Sequence, residues 1–289
     1  MRAFNTGLKI LCCLCCLASL TCMQPAPPPG SSPEATSPDP NMARPIDAHD
    51  SVFIEELTWL EVRDAQRAGK TTAIIATGGV EMNGPYLATG KHNYVLRATT
   101  EAIARQLGNA LVAPIVAFVP EGDIEPPTGH MRYPGSISLT QATFKALLTD
   151  IAASLRATGF TRIVLIGDSG GNQQGMKEVA AELSSKWKDG KTAIRFIPEY
   201  YDYPGLAKWL EGEGIKQVDE GLHDDYAITS QMMTVDPTLV RMQEREAKGK
   251  FSINSVALAP AEKTIAMGRK AVEWRARITV EAIRKAFGQ

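Results

Sequence analysis

The sequence predicts a single α/β domain with a mainly parallel central sheet flanked by helices. Short apolar runs rich in β-branched residues alternate with longer segments whose apolar residues recur at helical spacing. This alternation favours a parallel sheet with helices on both faces, joined by right-handed crossovers. A chain of 289 residues, 44% of them hydrophobic, is long enough to bury a full core in one such domain.

The N-terminal residues have the composition of an export signal. Arg2 and Lys9 flank the start of a short apolar stretch, residues 10–20, which is too short for a membrane-spanning helix. We therefore expect residues 1–22 to be a signal peptide or a lipoprotein signal, and the protein to be periplasmic, membrane-anchored or secreted. A cytosolic protein with an apolar start is the alternative.

All five cysteines belong to this N-terminal stretch, so the folded domain is expected to contain neither a disulfide nor a thiol nucleophile. Cys22 is a candidate lipid anchor because it follows the apolar stretch and precedes a polar segment. The residues directly before it, Ser19 to Thr21, fit the small-residue pattern of such anchors poorly, so lipidation and plain secretion both stay open.

The next segment, residues 23–50, is rich in Pro, Ser, Ala and Asp. It lacks the apolar residues needed to form a core and is predicted to be a flexible tether. The folded domain is expected over residues 51–289. A formal net charge of -1 argues against nucleic acid as a partner, since phosphate binding requires clustered Lys and Arg.

The first half of the domain contains two predicted helix and strand pairs, in the order helix 54–68, strand 72–77, helix 94–106 and strand 110–119. Gly69 and Gly108 end the two helices. Pro114 interrupts the second strand and indicates an edge position or a bulge.

The second half continues the alternation, with helix 141–157, strand 162–166, helix 174–186, strand 193–198 and a closing helix at 261–287. Residues 200–236 are predicted to be rich in loops. Tyr201 and Trp209 within them either cover a ligand or pack on the domain.

Polar residues with chemical potential follow the predicted strands. Glu81, Asn83 and His92 follow the first strand, and the two other domain histidines, His130 and His223, also lie in predicted loops. Loops at the carboxyl ends of parallel strands meet at one edge of the sheet, so a shared site is the functional interpretation. Surface imidazoles are the alternative.

One interpretation of these residues is a metal site formed by Glu81, His92 and Asp168, which follows the third strand. Two carboxylates and an imidazole suit Zn, Mn or Fe and leave positions open for water and substrate. No short motif such as HExxH supports this set.

The segment GDSGGN, which follows the third strand, allows other interpretations. Ser169 is a candidate nucleophile with a distant histidine as base. A glycine-rich turn that only connects a strand to a helix is the alternative.

Four separated segments resemble the creatininase (creatinine amidohydrolase) family: GGVEMNGPYLATGKHN, GHMRYPGSISL, IVLIGDSGGN and GLHDDYAITSQMMTVDPTLV. Their order and spacing agree with the family over about residues 58–240. The resemblance implies a single α/β domain with a parallel sheet, a homo-oligomer, often a hexamer, and a metal-dependent hydrolase of non-peptide C–N bonds in small molecules.

The resemblance also implies an altered metal centre. Glu81 matches a family ligand, and His130 and His223 are retained, whereas other ligand positions differ: Asn83 stands for a His, His92 for a bridging Asp, Ser169 for a His, and Ile228 for a Glu. A neutral imidazole offers one lone pair and cannot bridge two cations as a carboxylate does.

We therefore expect one divalent metal on Glu81, His92 and Asp168, with His130 or His223 moving a proton and Asn83 orienting water or substrate. The alternatives are a catalytically inactive binding protein of the same fold and a hydrolase that depends on Ser169.

Overall fold

A computed structural model of the protein, which describes residues 37–288, contains a central sheet of four parallel strands. The chain divides into two compact units after Pro45, and the fold described below is that of the second unit, Ile46–Gln289. The predicted export signal, the lipid anchor at Cys22 and the first part of the tether lie outside the described residues. Within the described part, no helix is both long enough and apolar enough to cross a membrane.

The sheet confirms the predicted α/β fold. Its strands are β1 (Thr72–Thr77), β2 (Ala110–Val112), β3 (Arg162–Gly167) and β4 (Ala193–Phe196), in the spatial order β2-β1-β3-β4. Every neighbouring pair is parallel, and Ile74 of β1 lies opposite Val164 of β3. The strands are apolar almost throughout, as is typical of a parallel sheet covered on both faces.

The strand expected over residues 110–119 is shorter than predicted. Regular pairing ends at Val112, and only single bridges at Val116 and Val119 continue it. Pro114 has no backbone N–H to donate and interrupts the ladder. The edge position that this proline predicted is confirmed, because β2 is the outermost strand.

Eight α-helices surround the sheet in the described part of the chain. They are α1 (Trp59–Arg67), α2 (Lys91–Leu107), α3 (Gln141–Ala157), α4 (Gln173–Lys186), α5 (Tyr203–Gly212), α6 (Tyr226–Val235), α7 (Met242–Ala247) and α8 (Ala261–Ala286). A short antiparallel hairpin joins β5 (Ser252–Ile253) to β6 (Val256–Ala257). Single 3-10 turns lie between several of these elements, one of them at Gly129–Arg132.

The first predicted helix divides into two parts. Residues Ile54–Glu56 form a 3-10 turn, and α1 begins only after Thr58. The Thr58 hydroxyl accepts the Glu61 amide N–H, and the Glu61 carboxylate accepts the Thr58 N–H. This reciprocal capping fixes the helix start later than the apolar spacing suggested.

Helix α2 begins earlier than predicted, at Lys91 in place of Tyr94. His92 therefore lies in the first turn of a helix and not in a loop. Its side chain is thus held by regular structure beside the end of β1.

The expectation that residues 200–236 are rich in loops was wrong, because α5 and α6 lie within them. The carboxylates of Asp202 and Asp225 cap the two helices by accepting the N–H groups of Gly205 and Ile228. Helix α6 is buried around most of its circumference, so its sequence lacks the one-sided apolar stripe by which helices are recognised.

The two faces of the sheet pack against different helices. Ile74 and Ala76 of β1 belong to a core cluster with residues of α2 and α8, whereas Ile75 belongs to a cluster with residues of α3 and α4. This follows from the alternation of side chains along a strand. A third cluster joins α5, α6 and α8, and it supports the loops at one end of the sheet.

Candidate functional site

The loops after β1 and β3 open onto a cavity of about 1300 Å³ at the carboxyl edge of the sheet. This is where sites of open parallel sheets lie. Its lining includes six of the seven residues proposed from the sequence: Glu81, His92, His130, Asp168, Ser169 and His223. The seventh, Asn83, is buried nearby but is not part of the lining.

Side chains from neighbouring segments clamp the glycine pair at the end of β1. The Asn93 amide of α2 accepts the Gly79 N–H at 3.1 Å and donates to the Gly79 carbonyl at 3.0 Å. Asn172 donates to the Gly78 carbonyl at 2.8 Å. Gly79 has φ of +157°, which residues with a side chain rarely adopt, and a Cβ there would lie 2.0 Å from Oε1 of Glu121, so this position favours glycine. The loop that carries Glu81 is therefore closely fixed.

Glu81 lies at the centre of the site. Its Oε1 atom is 2.8 Å from Nε2 of His92 and 3.2 Å from Nζ of Lys91, and its Oε2 atom is 3.4 Å from Nε2 of His130. Burial alone would raise the pKa of this carboxyl, but the hydrogen bond from His92 and the charges of His92 and Lys91 hold the pKa far below its ordinary value. Glu81 is thus an ionised carboxylate in a buried position.

His92 bridges two carboxylates. Its Nε2 atom is 2.8 Å from Glu81, and its Nδ1 atom is 2.8 Å from Oδ2 of Asp168. Burial by itself would lower the pKa of His92, but the hydrogen bonds to Asp168 and Glu81 outweigh it and raise the pKa. Since carboxylates only accept hydrogen bonds, both ring nitrogens carry hydrogen.

Asp168 is held in turn by Arg275 of α8. The Nη2 atom of Arg275 lies 2.5 Å from Oδ1 of Asp168, and the two side chains are 2% and 0% exposed. The same guanidinium donates to the backbone carbonyl of Tyr200 at 3.1 Å and lies over the Tyr200 ring. Burial would raise the pKa of Asp168, but the Arg275 charge and the His92 hydrogen bond keep it below its ordinary value.

The three expected metal ligands therefore form a hydrogen-bonded series, in the order Glu81, His92 and Asp168. The side chains converge, as predicted, but His92 lies between the carboxylates and has no lone pair for a cation. Both oxygens of Asp168 are already paired, one with His92 and one with Arg275. In this arrangement the lone pairs that His92 and Asp168 would offer a cation are engaged in hydrogen bonds and an ion pair.

A different group of three has the geometry of a metal site. One ligand atom each from Glu81, His130 and His223 lies within 4.8 Å of the others. The two imidazole rings stack with centroids 4.5 Å apart. The Nε2 atom of His223 is 3.8 Å from Oε1 of Glu81. The histidines retained in the family resemblance therefore meet the retained glutamate.

The protonation of His223 suits metal binding. Its Nδ1 atom lies 2.9 Å from the carbonyl oxygen of Met82, which can only accept, so Nδ1 carries the hydrogen and Nε2 keeps its lone pair. Burial and the charge of Lys91 lower the pKa of His223, which favours the neutral, ligating form. Two imidazoles and a carboxylate form a donor set that divalent zinc accepts. The residues present thus fit a divalent cation.

Asn83 braces the loop instead of facing the cavity. Its Nδ2 group donates to the carbonyl oxygens of Glu81 and Ala88 at 3.2 and 3.1 Å. These contacts fix the path of the chain on both sides of the turn. Its buried Oδ1 atom has no hydrogen-bond partner in residues 37–288, so the predicted role in orienting water or substrate stays a prediction.

Ser169 lines the cavity without forming a catalytic triad. Its backbone is extended, with φ of −108°, and its carbonyl accepts from the Gln173 amide at 2.8 Å. In residues 37–288, no histidine is hydrogen-bonded to its hydroxyl, and the adjacent Asp168 is paired with His92 and Arg275. The geometry does not support the Ser169 nucleophile.

Glu121 is a site residue that the sequence reasoning missed. Its N–H donates to the Ser138 hydroxyl at 2.9 Å, and its buried Oε1 atom has no hydrogen-bond partner in residues 37–288. Burial, together with the Glu81 carboxylate, raises the pKa of Glu121 to about 9. Glu121 is thus a neutral acid beside the ionised Glu81.

Arg275 and Lys91 were missed as well. Arg275 lies between Val272 and Thr279 on the buried stripe of α8, and a charged residue in such a stripe requires a buried partner. That pattern is visible in the sequence. The sequence gives little indication that Lys91 and Glu121 belong to the site, because single charged residues are common in polar loops.

Comparison with known proteins agrees with this fold. The family model described as creatinine amidohydrolase matches residues 55–279. A curated creatinine amidohydrolase of Pseudomonas putida is 27% identical over 195 residues, which span 66% of this chain and 74% of that protein.

Two solved structures are similar in fold. A mutant creatininase superposes with a TM-score of 0.61 at 23% identity, covering 83% of this chain and 100% of the other. A second mutant creatininase, described as of Zn-Zn type, superposes with a TM-score of 0.53 at 23% identity, covering 82% of this chain and 97% of the other.

Proposed function

Because this chain belongs to the creatininase family, we propose that it is a metal-dependent amidohydrolase that binds one divalent ion through Glu81, His130 and His223. The substrate class is a small molecule with an amide or cyclic amide, and the bond cleaved is its non-peptide C–N bond. The observation that carries the proposal is the meeting of three ligand atoms within 4.8 Å of one another at the wall of the cavity.

Glu81, His130 and His223 would hold the ion, which when bound would supply Lewis acidity to a carbonyl group and to water. The protein holds the ligand carboxylate of Glu81 in place through a series of buried contacts. Glu81 is fixed by His92, which is fixed by Asp168, which is fixed by Arg275. This buried chain of charges leads from α8 to the cavity and holds the Glu81 carboxylate in one orientation.

The proposal changes the role of the histidines. If His130 and His223 are ligands, neither is free to move a proton, as the sequence had suggested. Asp224, which lines the cavity, is the better candidate. Its Oδ1 atom accepts from the Thr229 hydroxyl at 2.9 Å, and its buried Oδ2 atom has no partner in residues 37–288. That oxygen is available to accept a proton from water and pass it to the leaving nitrogen.

The test is turnover of a panel of small amides and lactams by chelator-stripped protein reloaded with zinc or manganese. We expect the loaded wild type to hydrolyse a member of the panel, and chelation to abolish the activity. His223→Ala should lose it, while the matched control His49→Ala, which changes an exposed histidine, should keep it. Turnover that survives chelation would refute metal dependence.

A second candidate is a binding protein of the same fold without catalysis. It is favoured by one observation, the direct contacts of Glu81 with Lys91 and His92, which compensate its charge even without a cation. Full zinc occupancy combined with no turnover across the panel would support this candidate.

A further inference from the structure

Lys91 breaks two local rules of protein structure. Its side chain is buried, with 5% of the residue exposed, although an ammonium group is costly to bury. It is also the first residue of α2, where the helix dipole disfavours positive charge. Residues that break local rules concentrate at functional sites.

The ammonium group of Lys91 has two protein partners. Its Nζ atom is 3.2 Å from Oε1 of Glu81 and 3.4 Å from the backbone carbonyl oxygen of His223. Since an ammonium group carries three N–H donors, one remains for a ligand. Lys91 lines the cavity, so a ligand can reach that donor.

The other buried cations of the site cannot take this role, because both ring nitrogens of His92 are already hydrogen-bonded to carboxylates. Arg275 is 2% exposed, does not line the cavity, and is paired with Asp168 and the Tyr200 carbonyl. Among the lining residues of the described chain, Lys91 is the one lysine or arginine. It is thus the positively charged group of the lining that keeps a hydrogen-bond donor for a ligand beside Glu81.

We propose that Lys91 is a catalytic residue that binds the carbonyl oxygen of the amide substrate. This rests on the proposed function. Addition of water to the carbonyl carbon forms a C–O bond and moves the C=O π electrons onto that oxygen, where the ammonium stabilises the charge. When these electrons return, the C–N bond breaks, and the leaving nitrogen takes the proton that the water lost. The products are a carboxylic acid and an amine.

The same charge limits the metal site. An ammonium group 3.2 Å from a ligand carboxylate oxygen repels cations near Glu81. We therefore expect a single divalent ion at Glu81, His130 and His223.

The test is Lys91→Met, with Lys177→Met on the exposed face of α4 as the matched control. Two quantities are measured: zinc affinity and stoichiometry by calorimetric titration, and steady-state kinetics with the panel amide that the wild type hydrolyses. We expect one zinc per wild-type chain. Lys91→Met should bind zinc on the order of tenfold more tightly, because a repelling charge is removed. Its kcat should fall by roughly 10²- to 10³-fold, the effect of losing one oxyanion donor.

The opposite directions of these effects separate catalysis from misfolding, which would weaken both zinc binding and turnover. Two zinc ions per wild-type chain, unchanged or weaker zinc affinity in Lys91→Met, or a kcat within threefold of wild type would each overturn the inference. If the wild type hydrolyses nothing in the panel, the proposed function and this inference fail together. If the wild type is active but Lys91→Met is equally active, only this inference fails.

Discussion

Replacing Arg275 by Met should destabilise the protein strongly. The change keeps the length of the side chain and removes the charge that faces Asp168 at 2.5 Å, where the two side chains are 2% and 0% exposed. Removal of one partner of a buried ion pair costs roughly 3–5 kcal/mol, since the other charge stays buried without compensation. His92 remains next to Asp168, so we expect the lower part of this range.

The free energy of unfolding is measured by urea titration, and the melting temperature should fall by roughly 6–20 °C for a domain of this size. Arg277→Met is the matched control, because Arg277 is exposed on the same helix, and its effect should stay within about 0.5 kcal/mol. Adding Asp168→Asn to Arg275→Met should recover part of the loss, because it removes the unpaired negative charge. A loss below about 1 kcal/mol for Arg275→Met would refute the view that this pair anchors the site.

Three further predictions concern packing, pH and the rival nucleophile. Gly268→Ala should destabilise the protein by about 1–3 kcal/mol in urea titrations, because its Cβ would lie 2.0 Å from the Ser230 carbonyl oxygen where α8 crosses α6. The control Gly212→Ala, which has open space around it, should be neutral or stabilising in the same titrations. Burial raises the pKa of Asp224 to about 7 from an ordinary 3.8, so between these pH values the folded state retains a proton that the unfolded chain releases. The stability of chelator-treated protein should therefore fall as the pH rises from 3.8 to about 7. Asp224→Asn should flatten that fall in urea titrations with chelator, and parallel pH curves for the two proteins would contradict the assignment. Ser169→Ala should keep the hydrolytic activity, and the wild type should resist labelling by a fluorophosphonate; covalent labelling that disappears in Ser169→Ala would restore the serine hydrolase reading.

The sheet could be predicted from the sequence because its strands are buried on both faces. The apolar runs at 72–77 and 162–166 are short, β-branched and closed by glycine, and they became β1 and β3 almost without change. Burial on all sides had the opposite effect for helix α6, which the sequence did not predict. It is buried around most of its circumference, so it shows no helical alternation of apolar and polar residues.

The sequence indicated which polar residues meet at this end of the sheet but not how their side chains pair. The sequence placed Glu81, His92 and Asp168 in one region, and they do converge. It could not show that His92 sits between two carboxylates, since that depends on α2 starting at Lys91 and on Arg275 reaching Asp168 from the last helix. Those contacts span long distances in sequence, and local patterns carry no information about them.

The central claim is that the divalent ion is held by Glu81, His130 and His223. X-ray absorption of the zinc-loaded protein tests it most directly, because the spectrum reports the number of imidazole ligands. We predict two imidazoles in the wild type, one in either His130→Ala or His223→Ala, and two in Asp168→Asn. A single imidazole in the wild type that disappears when His92 is changed would contradict the account, because it would show that the ion binds where we place the charge chain.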